Sequence, residues 1–352
     1  VIAAAALSLT ACGDDKDETA AEGASVATGQ YSNVKQYLLD HTGPLNESIT
    51  ELSSQADDYY DLINEAGSCE AALKNDRAAV EGSVKEMQET WKKANPQYEQ
   101  AEGVVAGVPE LADYDVILDA GASKEDDPEG AVPFDVTYKD GTVLKQPGNF
   151  FFLTETSLWG TEDKFTCKDV KADLDGDGKV EFAEALPNPD HIQASAAEMK
   201  KYTTELNAAA EKWTPNESDV FTSLVVMTPT MAEYFEAWKN SRFVAGDNAK
   251  EASFVGSSRL NDIADILSGL VLVYDNIEPQ IAKEDAAQAK QTGEELSGLL
   301  EYVEKIRDKE ADGETFTAEQ ADTYGAEAQE RAERIAGQVS QAASKLGVEI
   351  QD

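Results

Sequence analysis

Apolar side chains recur three and four residues apart along most of this chain. A helix is the element that brings such positions onto one face, so the spacing predicts a mostly helical fold. From Val34 the positions are Tyr37, Leu38, Leu45, Ile49, Leu52, Ala56, Tyr59 and Ile63, with Pro44 as an expected kink or restart. A second stripe, Ala79, Val80, Val84, Met87 and Trp91, is expected to stop near Pro96. Ile263, Ile266, Leu267, Leu270, Val273, Tyr274 and Ile277 mark a strongly apolar helix, and Leu296, Leu299, Leu300, Val303 and Ile306 another. The last stripe has Ala321, Tyr324, Ala328, Ile335, Val339, Ala342 and Leu346, small residues that allow close helix packing. The expected architecture is all-α, two bundles of the four-helix type over about 31–186 and 190–352, separated near Pro187 and Pro189.

The middle of the chain breaks the pattern. Phe134 to Lys145 alternates around Asp140-Gly141 and reads as a short β-hairpin inserted within the first bundle. Residues 173–184, DLDGDGKVEFAE, follow the EF-hand calcium-loop pattern. Asp173, Asp175 and Asp177 stand at positions one, three and five, and Gly178 stands at the sharp turn. Lys179 offers its carbonyl at seven, Glu181 acts at nine, and Glu184 supplies both oxygens at twelve. A hard cation needs six to eight oxygens, and this spacing wraps them around one point. The alternative is an acidic surface turn. The loop occurs once and its flanks are short, so a structural calcium is expected rather than a paired sensor.

The first residues bear on location. Val1 to Ala11 is an uncharged apolar run, too short to span a bilayer, and ends in Leu9-Thr10-Ala11-Cys12. This resembles a bacterial lipobox, so 1–12 are expected to be a leader ending at a lipidated Cys12, with the sequence beginning inside that leader. Residues 13–30 are small and acidic and read as a tether. An exported protein, held on the periplasmic or cell-surface side of a membrane, is the expectation. The competing reading is a buried terminal helix with an incidental cysteine. The other two cysteines, Cys69 and Cys167, are most simply one disulfide in an oxidising compartment, with two free thiols the alternative. A net charge of −40 argues against nucleic acid as a partner. With His41 and His191 the only histidines, a His-rich metal site is excluded.

Two stretches resemble the imelysin family, which includes the EfeO/EfeM-type periplasmic proteins of iron uptake. In GNFFFLTETSLWG (148–160), Glu155 matches the glutamate of the family's GxHxxE motif, and Leu158, Trp159 and Gly160 match the residues just after it. The motif histidine falls on Phe152 and the motif glycine on Phe150, so the motif is degenerate. In FVGSSRLNDIADILSGLVLVYDNIEP (254–279), Asp262 takes the family's Asp position, and 221–243 are weakly similar to the preceding helix. The resemblance covers 31–352. It implies two four-helix bundles, a groove between them, and a role in acquiring iron or another transition metal, with an iron-transport or other cell-envelope protein as partner. The family was once classed with metallopeptidases because His-x-x-Glu can place an imidazole and a carboxylate on one helical face, where they can hold a metal. Phe152 cannot ligate, so no catalytic residue is assigned. Three functions compete: a non-enzymatic, calcium-stabilised metal- or partner-binding accessory, a calcium-stabilised scaffold or adhesion lipoprotein, and a metallopeptidase. Carboxylates converging near Glu155 would favour the first.

Overall fold

The computed structural model describes residues 31–351 apart from Asp175, Gly176, Glu181 and Ala183. Cys12, the leader and the tether lie outside the described residues. Helix α1 (Ser32–Ala66) begins after Tyr31 and ends at Gly67, whose φ of 86° is the left-handed stop that glycine accepts freely. Val34, Leu38, Leu45, Ile49, Leu52, Ala56, Tyr59 and Ile63 are all buried along it. Each such aliphatic side chain contributes roughly 2 kcal/mol by leaving water. That gain explains the difference at Pro44, where the helix neither restarts nor stops.

The same competition decides α2 (Cys69–Val105), which runs through Pro96 instead of ending there. Proline removes one backbone hydrogen bond, but Ala94, Tyr98, Ala101, Val104 and Val105 on either side are buried, and their packing outweighs the loss. After α3 (Ala112–Asp115) the chain makes a π-helical turn, Val116–Ala120, closed by the Gly121 amide donating to the Val116 carbonyl at 3.0 Å. The hairpin is present as β1 (Asp135–Thr137) and β2 (Val143–Lys145), antiparallel, with Asp135 opposite Lys145. Its turn has Gly141 at φ 89°, and Asp140 accepts the Thr142 amide at 2.8 Å.

Helix α4 (Phe150–Trp159) is buried almost all round. A second antiparallel pair, β3 (Thr166–Lys171) and β4 (Ala185–Pro187), closes the base of the 173–184 loop. The loop is therefore flanked by strands, not by the helices of an EF-hand. Helix α5 (Pro189–Lys212) packs back on α1 and α4. Helices α6 (Glu217–Met227), α7 (Met231–Asn240), α9 (Arg259–Ala311) and α10 (Ala318–Leu346) form the second packed group, with the short α8 (Arg242–Ala245) at its edge. The two C-terminal apolar stripes expected as separate helices run on as α9. They turn at Asp285, whose extended backbone (φ −154°) breaks the ladder and whose carboxylate caps the Gln288 amide at 3.0 Å.

The groups meet where α2 lies on α9. Their approach is close because two glycines face across it. A Cβ on Gly269 would come within 2.6 Å of the Gln100 carbonyl, and one on Gly103 within 2.9 Å of Leu270. Cys69, the first residue of α2, is bonded to Cys167 on β3, so the pairing expected of these thiols is present. No described helix is long and apolar enough to cross a membrane.

Candidate functional site

A cleft of about 470 Å³ opens beside the α2–α9 contact. Trp91, Phe151, Phe152 and Phe254 line its sides, and Asn95, Asp119, Glu155 and Asp262 reach it from below. Helix α4 is set against it by its N-cap. Asn149 accepts the Phe152 amide at 2.8 Å and donates to the Asp119 and Gly121 carbonyls, tying α4 to the π-helical turn.

Glu155 points from α4 at the segment before α9. Its Oε2 accepts the Phe254 amide at 2.9 Å, and Oε1 accepts those of Val255 and Gly256, each at 3.0 Å. Three convergent N–H groups form an anion-holding nest. Burial nevertheless pushes the Glu155 carboxyl up to about 8, with the three amides pulling it back and Asp262 adding to the rise. Gly256 has to be glycine, because a Cβ there would meet the Trp159 ring at 2.7 Å. The Trp-Gly that comes after Glu155 thus has a mechanical reason: Trp159 fills the space under the turn that Glu155 holds.

The carboxylates converge next to Glu155, not on it. Oxygens of Glu99, Glu102 and Asp119 lie within 4.8 Å of one another. Glu99 and Glu102 sit three residues apart on one face of α2, and the π-helical turn delivers Asp119. Asp262, one turn into α9, and Asp115 complete the acidic set. Glu99, Glu102 and Asp262 are buried. The cation facing them is Arg259, whose Nη1 stands 3.4 Å from Glu99, 3.4 Å from Asp262 and 3.9 Å from Asp119. Its guanidinium is sandwiched between the rings of Tyr234, at 4.4 Å, and Phe254, at 4.6 Å. Asn95 donates to Asp262 at 3.0 Å, Tyr234 to Glu102 Oε1 at 2.7 Å, and Tyr98 to Asp115 at 2.6 Å. Glu102 Oε2 is buried and no N–H or hydroxyl group reaches it; the polar neighbour of this carboxyl is the Glu99 carboxyl.

Burial raises every carboxyl of the set. Glu102 is pushed up to about 7 and Asp262 to about 6, with Arg259 pulling each down and Asp119 pushing each up. Glu99 and Asp115 rise well above the ordinary range from burial and from their acidic neighbours. With one guanidinium among five carboxyl groups, part of the set stays protonated, and a cation entering it would displace those protons. Glu102, beside two further carboxyl groups and with no N–H or hydroxyl donor at Oε2, fits an oxygen-seeking cation. The donors are all oxygen, which suits a hard ion.

The histidines stay out of this set. His41 pairs with Gln97 at 3.2 Å. His191 is buried, stacked on Phe165 at 3.9 Å, and bonded to the Leu153 carbonyl and the Tyr138 hydroxyl. Its burial pushes the imidazole down to about 4, which makes it a neutral core residue.

The 173–184 loop is a separate feature. Asp173 accepts the Gly178 amide at 2.7 Å, Gly178 has φ 86°, and Asp177 accepts the Lys179 amide at 2.8 Å. Glu184 is buried and accepts the Leu174 amide at 2.8 Å. Asp175 and Glu181 lie outside the described residues. Phe182 reaches from the loop to α8, where the Arg242 guanidinium covers its ring at 3.3 Å.

The profile of a family described as imelysin, which carries a peptidase designation, matches residues 45–343. No curated protein matches the chain.

Proposed function

The chain belongs to the imelysin family, and on that premise we propose that it is a non-enzymatic cation-binding accessory in metal acquisition, iron foremost, tethered to a membrane surface through Cys12. The observation that carries this reading is the convergence of Glu99, Glu102 and Asp119, with Glu102 Oε2 buried and out of reach of any N–H or hydroxyl group. Glu99, Glu102 and Asp119 would hold the ion, and the aromatic cleft would exclude water from it. A tethered accessory would hand its ion to a transport protein of the same envelope.

The peptidase reading is weaker, because Phe152 stands where the motif needs an imidazole and both oxygens of Glu155 face backbone amides. Calcium belongs to the proposal as a structural ion in the 173–184 loop, supported by the left-handed Gly178 and its amide bond to Asp173. If that ion were the protein's only metal, a calcium-stabilised scaffold would be the better description.

The test is Mn2+ binding monitored by electron paramagnetic resonance in a chain carrying Asp173→Ala and Glu184→Ala, which removes the loop site without adding a second hard ion that would compete for the carboxylates. That chain should bind one Mn2+. Glu102→Gln should weaken it on the order of 100-fold, since even indirect partners of a metal ligand cost about 10- to 100-fold. Equal affinity in both proteins would reject the site. Peptide cleavage lost on adding chelator and in Glu155→Ala would restore the peptidase reading.

A further inference from the structure

We infer that Glu155 is a positioning residue for the cation site: it anchors Phe254, which with Tyr234 holds the Arg259 guanidinium away from the Glu99, Glu102 and Asp119 centre and keeps that centre open. This rests on the cation-site reading above and adds how the site is kept available.

Arg259 is held at an unusual distance. A guanidinium facing carboxylates normally closes to about 2.7–2.9 Å. Here its approaches are 3.4, 3.4 and 3.9 Å, and its buried Nε has no partner. Two aromatic faces grip it instead. Tyr234 is fixed from α7 by its bond to Glu102. Phe254 is fixed by its backbone, which has φ 56°, a left-handed conformation that costs a bulky residue on the order of 1–2 kcal/mol. Such a conformation persists only where the surroundings over-determine it. The surroundings here are the three amide bonds to Glu155 and the packing of Gly256 on Trp159.

Without the Glu155 carboxylate the 254–256 turn keeps only the packing of Gly256 on Trp159 to hold that φ. The Phe254 ring then leaves Arg259, and the guanidinium closes on Glu99 and Asp119 with short bonds. Arg259 would occupy the place of the incoming cation. Glu155 therefore governs affinity through two intermediaries while touching the ion with neither oxygen.

The experiment uses the full chain with Asp173→Ala and Glu184→Ala removing the loop site, and Mn2+ alone as probe. Glu155→Gln should weaken Mn2+ binding about tenfold, within the range for partners behind a metal ligand. Phe254→Gly keeps the left-handed turn at no backbone cost but removes the ring, and should weaken binding similarly. Arg259→Met should bind no more weakly than Glu155→Gln, and in that background adding Glu155→Gln should change affinity less than about twofold, as expected when one residue acts only through the other. A Glu155 that merely stabilised the fold would lower the melting temperature and leave these affinities alone. Unchanged affinity in Glu155→Gln, an equal loss with and without Arg259, or loss of binding in Arg259→Met would each overturn the inference. Should Glu155→Gln not fold, Phe254→Gly decides, and wild-type affinity there is fatal. Wild-type Mn2+ affinity in Glu102→Gln would instead defeat the cation site itself, which separates the two failures.

Discussion

Opening the Cys69–Cys167 bond should cost this protein about 7 °C of melting temperature. The two cysteines are 98 residues apart in sequence. Closing a loop of that size removes conformational entropy from the unfolded chain worth about 4.7 kcal/mol at room temperature. Unfolding entropy near 2.1 cal/mol/K per residue gives a body of this size about 0.7 kcal/mol per degree, and the ratio gives the shift. The perturbation is Cys69→Ala with Cys167→Ala, read by calorimetry, and reduction of the wild type should give the same shift. Both cysteines are buried, so alanine adds a small packing loss to that of the link, and reduction of the wild type, which keeps both sulfurs, isolates the link itself. The loss should be felt most in β3 and β4, because Cys167 ties that pair to the start of α2. Amide exchange there should rise before exchange in α9. A shift below about 2 °C, or alkylation of both thiols without reduction, would refute the reasoning.

Two more measurements concern the charged groups. Glu155, Glu102, Asp262 and Asp265 are raised by burial to about 8, 7, 6 and 7. The folded state therefore holds protons that the unfolded chain releases near pH 4. Their stabilisation is full below that value and is lost as pH rises to about 8. In chelator the melting temperature should be higher at pH 5 than at pH 8, and Glu102→Gln should flatten the slope; an equal or rising melting temperature would contradict this. Calcium should raise the melting temperature, and Asp173→Ala with Glu184→Ala should abolish the gain; identical behaviour of the two proteins would rule calcium out of the loop.

The helical fold was legible because its stripes are long. Leu38 through Ile63 in α1 and Ile263 through Ile277 in α9 are buried where the spacing puts them. The hairpin was legible from Asp140-Gly141. The carboxylate cluster of the proposed cation site was only half legible. Asp262 and Glu155 stood in the stretches that resemble the family, but Glu99 and Glu102 come after Pro96, where helix propensity argues for a stop. Tertiary burial of Tyr98 and Ala101 carries α2 past that proline, and no local signal reports it. Asp119 was hidden for a related reason, since a π-helical turn has no simple periodicity to read. Arg259 lay inside one of those same stretches, yet its meaning depends on Phe254 and Tyr234, which only the folded chain brings to it.

The glycines at the α2–α9 contact set a tolerance for the charges above them. Gly269 lies seven residues beyond Asp262, about 10 Å along the helix axis, and Gly103 is adjacent to Glu102. Backbone rests against backbone at Gly269, so the two helices are already at their closest approach. The carboxylates and Arg259 cannot be drawn more tightly together by closing the helices. The minimum spacing of these groups is thus set by atoms that carry no charge, and a cation in the proposed site would meet ligands whose helices cannot close further on it.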